Sequence, residues 1–372
     1  MKDMVKTDCR YFLGDRPCKY HKKEGVECSN CKYYDSIKKT ILIIKLGAMG
    51  DVLRTTPILE ALKRKYKGCK ITWIVDEESK ELLENNPYFD VILSYGAEAL
   101  TRLKVEHFDL VINLDSLPRS ASLASFAWAR KKIGFGLSEI GSVFPFNHGA
   151  REWYQMGVFD DLKRKNKKTY QEIIFEILGL RFKKEEMVVN LGEEEKDFAN
   201  RFAEKYDLKG KKIIGLATGA GGRWELKKWT IEGYLKLIER MDKEIENSKI
   251  LLFGEKGEVE RNEEIMKRSK VPSIDTGHEN TLREFLSFLN LCDLVVTGDT
   301  LAMHAAVALK TKVVALFGPT SSSEIELYGR GRKIIPDMDC LCCYKETCDK
   351  HPNCMENISH GIVFQAVKDL LK

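Results

Sequence analysis

Short apolar runs alternate with longer amphipathic stretches along most of the chain. The first half contains the runs TILIIKL, KITWIVD, DVILSY, DLVINL and KKIGFGL. Each run has the length of a buried strand, and helical or loop segments separate them. This βα alternation predicts a mostly parallel sheet covered by helices. The segment 141–168 interrupts the pattern, because it is aromatic and then very basic, and it shows no strand signal.

The alternation starts again in the second half. The runs KKIIGLA, SKILLFG, PSIDTG, DLVVTG and KVVALFG are separated by helical stretches such as TIEGYLKLIERMDKEI. Because this second series has its own glycine-bearing first loop, it favours two doubly wound units in tandem over one large sheet. The final stretch, GIVFQAVKDLLK, places its apolar residues on one helical face, so we expect it to dock on the rest of the protein.

A glycine loop that carries an acid follows the first strand run. Gly47 and Gly50 lie three residues apart, and Asp51 comes next. Ligands of open α/β sheets bind beyond the carboxyl ends of the strands, so the cleft between two such units is the expected site. Asp51 is then either a helix cap or a group that faces substrate. A second helix start at Thr56-Pro57 makes a cap at Asp51 less necessary and favours the second interpretation.

The first loop of the second unit, ATGAGGRWELKKW, has features of an anion site. Gly219, Gly221 and Gly222 allow a ligand to approach the backbone closely. Thr218 adds a hydroxyl, and Lys227 adds a charge suited to a pyrophosphate. The loop has neither the spacing of an NTPase loop nor that of a dinucleotide fingerprint, so glycine content alone is weak support.

A second candidate anion site lies where DLVVTG leads into DTLAMHAAVAL. Gly298 ends the strand run, Asp299 and Thr300 stand at the expected start of a helix, and His304 follows one turn later. A helix N-terminus with a hydroxyl beside it suits a phosphate, whereas the alternative is an ordinary N-cap and a core histidine. Glu258, in FGEKGEVE, either binds ribose hydroxyls or is an acidic residue of a first helical turn.

Composition and charge limit the classes of partner. The chain has 372 residues, which suits two domains, and its net charge of +5 comes from interleaved basic and acidic residues. We therefore expect no nucleic-acid groove. No apolar run reaches the roughly 18 residues of a membrane span. The N-terminus is too polar for a secretory signal, so we expect a cytoplasmic protein.

Most of the 11 cysteines fall into two groups. Cys9, Cys18, Cys28 and Cys31 form C-x8-C-x9-C-x2-C, and the terminal C-x2-C is a common metal half-site. Because a reducing cytoplasm disfavours disulfides, this pattern predicts a structural zinc site or, alternatively, an iron–sulfur cluster that helps a short polar head to fold. Unligated thiols are the remaining alternative. A less regular group near the C-terminus could form a second or a joint site; it comprises Cys340, Cys342, Cys343, Cys348 and Cys354.

Several motifs in combination resemble glycosyltransferase family 9, the ADP-heptose:lipopolysaccharide heptosyltransferases. They are KLGAMGDVLRTTPILEALKRKYKGCKITWIVDEE, LKKW and VTGDTLAMHAAVALKTKVVALFGPT, and their order and spacing match the family. DSLPRSASLASFAWARKKIGF is also similar to the family segment that ends in Ile-Gly-Phe. The resemblance runs from about residue 40 to the C-terminus. It implies an α/β protein of the GT-B fold, in which two Rossmann-like domains face a cleft.

The resemblance also implies a division of the chain. An acceptor domain would occupy residues 37–190 and a nucleotide-sugar domain residues 191–354. A C-terminal helix within 355–372 would pack back on the first domain. The cysteine-rich extension, 1–36, lies outside the shared motifs.

The activity that the resemblance implies is inverting, metal-independent transfer of a heptose from ADP-heptose, with no cofactor required for catalysis. The acceptor would be a lipid-linked saccharide of the lipopolysaccharide inner core, at the inner-membrane surface, and Asp51 would be the general base. The predicted donor-nucleotide contacts are Thr218, Gly219, Lys227, Glu258, Gly298, Asp299, Thr300 and His304. The predicted acceptor contacts are Gly47, Met49, Gly50 and Arg119. The family often has a small residue where this chain has Leu301.

Two other classes of function stay open at this point. Two Rossmann-like units could hold a dinucleotide for an NAD(P)-dependent oxidoreductase, but LGAMGD lacks the fingerprint spacing and Asp76 is an ambiguous ribose ligand. A non-catalytic nucleotide- or metal-binding module would depend on the cysteines. Transfer of heptose from an ADP-sugar would separate the first interpretation from both alternatives.

Overall fold

The computed structural model describes residues 5–221 and 224–372. It begins with a small head, residues 5–38, that contains one short helix, α1 (Lys19–Glu24). An isolated antiparallel bridge between Cys9 and Ser36 joins the two ends of the head. Arg10 then pairs with Asp90 and attaches the head to the first large domain.

The first sheet has six strands in the order β3-β2-β1-β4-β5-β6. They are β1 (Lys39–Ile44), β2 (Cys69–Val75), β3 (Val91–Ser94), β4 (His107–Asn113), β5 (Trp128–Leu137) and β6 (Val143–Pro145). All neighbours are parallel except β5 and β6. The helices of this half are α2 (Met49–Thr55), α3 (Pro57–Lys65), α4 (Glu77–Lys80), α5 (Ala97–Val105), α6 (Pro118–Phe126), α7 (Gly149–Val158), α8 (Asp160–Lys165) and α9 (Tyr170–Leu178).

The second sheet repeats the same topology, with the order β12-β11-β10-β7-β8-β9 and every neighbouring pair parallel. Its strands are β7 (Lys212–Ala217), β8 (Ser248–Phe253), β9 (Ile274–Asp275), β10 (Leu294–Gly298), β11 (Lys312–Leu316) and β12 (Gly331–Ile334). The helices of this half are α10 (Glu193–Lys205), α11 (Ile231–Glu244), α12 (Val259–Arg268), α13 (Leu282–Leu291), α14 (Leu301–Ala308) and α15 (His360–Leu371). The prediction of two Rossmann-like units is confirmed.

The central strands are buried on both faces, as expected for parallel strands covered by helices. Ile41, Leu42, Ile43 and Ile44 of β1 are fully buried, and all of β10 is buried. This burial explains why continuous apolar runs, and not alternating ones, marked these strands in the sequence.

Two expectations about local structure were wrong. The segment 141–168 does contain a strand, β6, which is three residues long and pairs antiparallel with β5. So short an edge strand carries too little alternation to be recognised. The last helix, α15, packs on α11 and on strands β10–β12 of the second domain, and not back on the first domain. Val363, Phe364 and Val367 are fully buried there in one apolar cluster with Trp229.

Direct contact between α2 and α14 joins the two domains. Leu53 of α2 and Leu82 belong to the same apolar cluster as Met303 and Ala306 of α14. The pairing brings the first loop of each domain to the same cleft. Among the described residues, no helix is both long enough and apolar enough to cross a membrane.

Candidate functional site

A cavity of about 920 Å³ lies between the carboxyl ends of the two sheets and is lined by residues of both domains. Strand order reverses between β1 and β4 in the first sheet and between β7 and β10 in the second. Such reversal points are where doubly wound sheets bind ligands. The loops after β1, β7 and β10 all contribute to the lining, which places the predicted cleft where the strand patterns indicated.

Asp51 projects into this cleft from the first turn of α2 and keeps 36% of its side-chain surface exposed. One oxygen, Oδ1, lies 2.9 Å from Arg54 Nε, and the other, Oδ2, lies 3.4 Å from Lys45 Nζ. Ala48, and not Asp51, is the N-cap of α2. The carboxylate is therefore not used as a cap and stays accessible to a ligand in the cleft.

Two cations determine the charge of Asp51. Burial alone would raise the pKa of Asp51, but Arg54 and Lys45 outweigh it and hold the pKa far below its ordinary value. Lys45 is buried, and Asp51 raises the pKa of Lys45 to about 12 against the effect of that burial. The carboxylate is thus an anion at neutral pH. A lysine within the apolar run ILIIKL was the sequence signal for this partner, and it was missed.

Arg54 is held in place by an aromatic ring. Its guanidinium carbon lies 4.0 Å from the centre of the Tyr170 ring, and the Tyr170 hydroxyl lies 2.8 Å from Thr55 Oγ1. Tyr170 is almost fully buried, at the start of α9. This packing fixes the guanidinium beside Asp51, one helical turn away. Sequence reasoning missed Arg54 as well, although its i+3 spacing from Asp51 places both on one helical face.

His304 of α14 faces α2 directly across the domain boundary. It is buried, and its Nε2 lies 3.9 Å from Asp299 Oδ1. Burial and the nearby Arg54 charge lower the pKa of His304 to about 4. The imidazole is consequently neutral at pH 7 and can exchange hydrogen bonds with a ligand without adding charge.

Lys227 and Asp299 form the charged pair on the other side of the cleft. Lys227 Nζ lies 3.1 Å from Asp299 Oδ2 and donates a hydrogen bond to the Asp299 carbonyl oxygen at 3.0 Å. Burial would raise the pKa of Asp299, but Lys227 and His304 hold it below its ordinary value. Thr300 is the N-cap of α14, and its side chain makes no capping hydrogen bond. The first amide groups of α14 therefore lie beside a lysine at the cleft wall, an arrangement suited to an anion.

Glu258 and Gly219 are closely packed at the part of the cleft that the second domain forms. A β-carbon on Gly219 would lie 2.4 Å from Glu258 Cδ, so only glycine allows the loop to run this close. Glu258 is buried, and its Oε2 accepts a hydrogen bond from the Glu255 amide at 2.9 Å. Its Oε1 has no hydrogen-bond partner among the described residues, although Lys228 Nζ lies 3.7 Å away. An oxygen with spare accepting capacity at the cleft suits a ligand hydroxyl.

Some predicted contacts lie outside the cleft lining. Thr218 is fully buried and donates to Asn262 Oδ1 at 2.5 Å, so its hydroxyl is already used within the domain. Gly298 packs against the Lys227 carbonyl oxygen, which a β-carbon would approach to 2.7 Å. Both residues shape the loops without facing the cavity. Gly222 lies outside the described residues.

The predicted acceptor residues separate into two groups. Met49 and Gly50 line the cavity beside Asp51. Gly47 and Arg119 lie instead beside Asp76, with which Arg119 forms an ion pair. The Arg119 side chain is 44% exposed. This second group lies outside the cavity lining, on the first domain.

The head cysteines are brought together but not around a single point. All four line one cavity, and all are free thiols. Among residues 5–221 and 224–372, no three side chains of His, Cys, Asp or Glu are close enough together to hold one metal ion. The predicted tetrathiolate arrangement around one zinc ion is therefore not formed in the structure.

Comparisons with known proteins agree with this architecture. A family model described as glycosyltransferase family 9 (heptosyltransferase) matches residues 98–353, which is more than half of the chain. The lipopolysaccharide heptosyltransferase 1 of Campylobacter coli is 25% identical over 350 residues, covering 89% of this chain and 98% of that protein.

Solved structures show the same fold. A glycosyl transferase family 9 protein from Veillonella parvula has a TM-score of 0.71 at 20% identity, covering 90% of this chain and 97% of its own. The ADP-heptose lps heptosyltransferase II of E. coli has a TM-score of 0.65 at 19% identity. This alignment covers 89% of the present chain and 98% of the E. coli chain. The alignments span nearly the full length of each structure, so they include both domains.

Proposed function

Because this chain belongs to glycosyltransferase family 9 (heptosyltransferase), we propose that it transfers a heptose from ADP-heptose to a saccharide of the lipopolysaccharide inner core. The family membership makes it a glycosyltransferase and displaces the oxidoreductase and binding-module alternatives. The name of the Campylobacter coli relative supports the lipopolysaccharide acceptor, and that of the E. coli structure supports the ADP-heptose donor. We place the reaction in the cytoplasm, with the lipid-linked acceptor reaching the cleft from the inner-membrane surface.

The observation that carries the proposal is the position of one ionised carboxylate in a cleft with two chemically different sides. Asp51 lies on the first domain between two cations. Lys227, the start of α14 and Glu258 lie on the second. Such a division suits a reaction in which one side holds a hydroxyl and the other a nucleotide diphosphate.

The donor would lie against the second domain. Lys227 and the first amides of α14 would neutralise the diphosphate. Thr300 would add a hydroxyl, and Glu258 Oε1 would accept from a ribose hydroxyl. His304, neutral at pH 7, would donate or accept one further hydrogen bond. Thr218, Gly219 and Gly298 would act through the shape of the loops that carry these groups.

The acceptor would lie against the first domain, with Met49 and Gly50 at the cavity wall and Gly47 and Arg119 next to it. Arg119 is exposed and cationic, which suits an anionic saccharide. Residues 1–36, 37–190 and 191–354 remain our proposed division into head, acceptor domain and donor domain.

Proton removal would occur at Asp51. The acceptor oxygen attacks the anomeric carbon from the face opposite the leaving group, and its bond to carbon forms as the bond from carbon to the phosphate oxygen breaks. The electron pair of the broken bond leaves with ADP, and the acceptor proton passes to Asp51. Attack from the opposite face inverts the configuration of the anomeric carbon. The low pKa of Asp51 makes it a weak base. A late proton transfer, after the oxygen has gained positive character, needs no stronger one. Lys227 and the α14 amides would supply the positive charge that stabilises departing ADP, so we propose a metal-independent reaction with no cofactor.

The test uses the purified chain, ADP-heptose and a series of lipopolysaccharide cores truncated at successive inner-core sugars. We expect ADP release and one added heptose on at least one acceptor, with an anomeric configuration opposite to that of the donor by NMR. A thermal-shift series with ADP, UDP, GDP and NAD tests the donor separately. Stabilisation by NAD or UDP but not ADP, together with no transfer to any acceptor, would overturn the proposal.

A further inference from the structure

The four head cysteines line a single, partly open cavity. Cys9, Cys18, Cys28 and Cys31 all line a cavity of about 450 Å³ within the head. The same cavity is lined by Tyr11, Phe12, Tyr20, Tyr33 and Tyr34. Cysteines from well-separated positions in the sequence therefore line one partly open space, whose wall is rich in aromatic rings.

Backbone turns hold each cysteine in place. Cys18 is the N-cap of α1, Cys28 begins the 3-10 turn Cys28–Asn30, and Cys31 is the C-cap of that turn. The carbonyl oxygen of Cys9 accepts from the Phe12 amide at 3.0 Å, and Cys9 also pairs with Ser36. These turns fix the backbone of the four cysteines at the cavity without help from long elements of secondary structure.

The head is ordered without a hydrophobic core. Of the described residues 5–40, none has a fully buried side chain. A segment this small rarely folds on apolar burial alone, and a metal centre is one of the usual substitutes. Its rings do pack, with Tyr20 stacked on Tyr33 at 3.8 Å between centroids and edge-on to Tyr11 at 5.0 Å. They pack around the cavity instead of filling it.

Cavity size and charge indicate what fills the space. Four thiolates around one zinc ion lie about 2.3 Å from it and leave no such volume. Iron–sulfur clusters are larger and are also held by four cysteine thiolates. Residues 5–38 contain eight Lys or Arg against five Asp or Glu, a positive excess that would offset the negative charge of the thiolates. Lys6 and Arg16 line the cavity itself together with one acid, Asp15, which pairs with Arg16.

We propose that the head binds an iron–sulfur cluster through Cys9, Cys18, Cys28 and Cys31, and that this cluster serves as its core. Because the cluster binds deprotonated thiols that only the folded head brings together, its binding energy contributes to folding of the head. The site is separate from the cleft and does not depend on the proposed transfer reaction.

The test is made on the full chain, purified without oxygen. Iron and inorganic sulfide should be present in equal amounts, about two to four of each per chain, with the visible absorption and Mössbauer spectrum of a cluster. The variant Cys28→Ser/Cys31→Ser should lose most of both, whereas Ser29→Ala, in the same turn, should retain them. Cys343→Ser/Cys348→Ser in the C-terminal group should also retain them.

Three outcomes would overturn the proposal. One is about one zinc per chain without sulfide, and another is the absence of both metals. The third is iron that persists in Cys28→Ser/Cys31→Ser but disappears in Cys343→Ser/Cys348→Ser. Because the Mössbauer spectrum of the unmodified chain identifies a cluster by itself, misfolding of a variant would not prevent a decision.

Discussion

Gly50 of α2 and His304 of α14 are in contact across the boundary between the domains. A β-carbon at Gly50 would lie 2.7 Å from His304 Cδ2, closer than two carbon atoms can pack. The glycine therefore sets how near the two helices come. Since α2 carries Asp51 and α14 begins beside Asp299, this contact, together with the packing of Leu53 on Met303 and Ala306, helps to set the spacing between the two sides of the cleft.

Substituting Gly50 with alanine should destabilise the protein, although alanine favours helices. The clash with His304 should cost about 1–3 kcal/mol of unfolding free energy, as overpacking usually does. Gly157 of α7 is the matched control, because a β-carbon there meets nothing within 4 Å. Gly157→Ala should stabilise by about 0.5–1 kcal/mol. Urea denaturation of both variants measures the difference, and equal stability changes would show that the helices separate freely.

The variant Asp51→Asn tests the proposed base. It preserves size but removes the charge, so turnover should fall by about 10²–10⁴-fold while ADP still binds. Steady-state kinetics with ADP-heptose and calorimetry with ADP separate the two effects. Asp242→Asn, on the exposed surface of α11, provides the control. If Asp51→Asn keeps more than about a tenth of the original turnover, proton transfer occurs elsewhere.

Removal of Lys227 should weaken ADP binding. A charge-assisted contact contributes about 1.5–3 kcal/mol, which corresponds to roughly a tenfold to a hundredfold rise in Kd. Lys236→Ala on α11 should leave the Kd unchanged. Because Lys227 also pairs with Asp299, the double variant Lys227→Ala/Asp299→Asn is informative. A normal Kd in the double variant would mean that Lys227 merely neutralises Asp299.

The acid side of the pH profile should be unusually extended. His304 has a pKa of about 4, whereas an ordinary histidine titrates near pH 6.5. Lowering the pH therefore leaves the imidazole neutral, and Asp51 ionised, until the pH approaches 4. We expect kcat/KM to show no break near pH 6.5 and to fall only toward pH 4.

Substitution of Arg54 tests whether its charge causes the low pKa values of Asp51 and His304. Its charge lowers the pKa of both Asp51 and His304, so Arg54→Gln should raise both values. Both groups are then protonated at a higher pH, so the fall of kcat/KM on the acid side should begin at a higher pH than in the unmodified protein. Arg268→Gln on the surface of α12 should not move it. An unchanged limb in Arg54→Gln would assign the acid limb to another group.

Strand and loop positions followed directly from the sequence because parallel strands are buried on both faces and leave continuous apolar runs. The positions of Asp51, Lys227 and Asp299 at one cleft followed from the rule that ligands bind at the carboxyl ends of such strands. The two cations that pair with Asp51, Lys45 and Arg54, could not be predicted from the sequence in the same way. Lys45 stands out as a single charge at the end of an apolar run, but the run does not show which group it pairs with, because that pair forms across the turn between β1 and α2.

The sequence also did not show in which direction individual side chains point. Thr218 was predicted to face a ligand, but it turns into the domain and bonds Asn262, which is 44 residues away in the chain. Likewise, the apolar face of α15 predicted that the helix docks, but nothing in that face distinguishes one sheet from the other. Its partner is selected by packing with Trp229, whose Nε1 donates to the Ile358 carbonyl oxygen at 3.1 Å just before the helix.

The placement of α15 on the second domain has a mechanical consequence. Because the C-terminal helix stays on the second domain, the described chain crosses between the domains only once, along residues 179–192. That segment is therefore the single backbone hinge of the described chain. Glu186 on this hinge pairs with Arg330 at 2.7 Å, and Glu185 pairs with Arg64 of the first domain. Rotation about the hinge would strain one ion pair against the other. Ionic strength should therefore change how readily the two domains rotate apart, and hence how readily the cleft opens to the proposed acceptor.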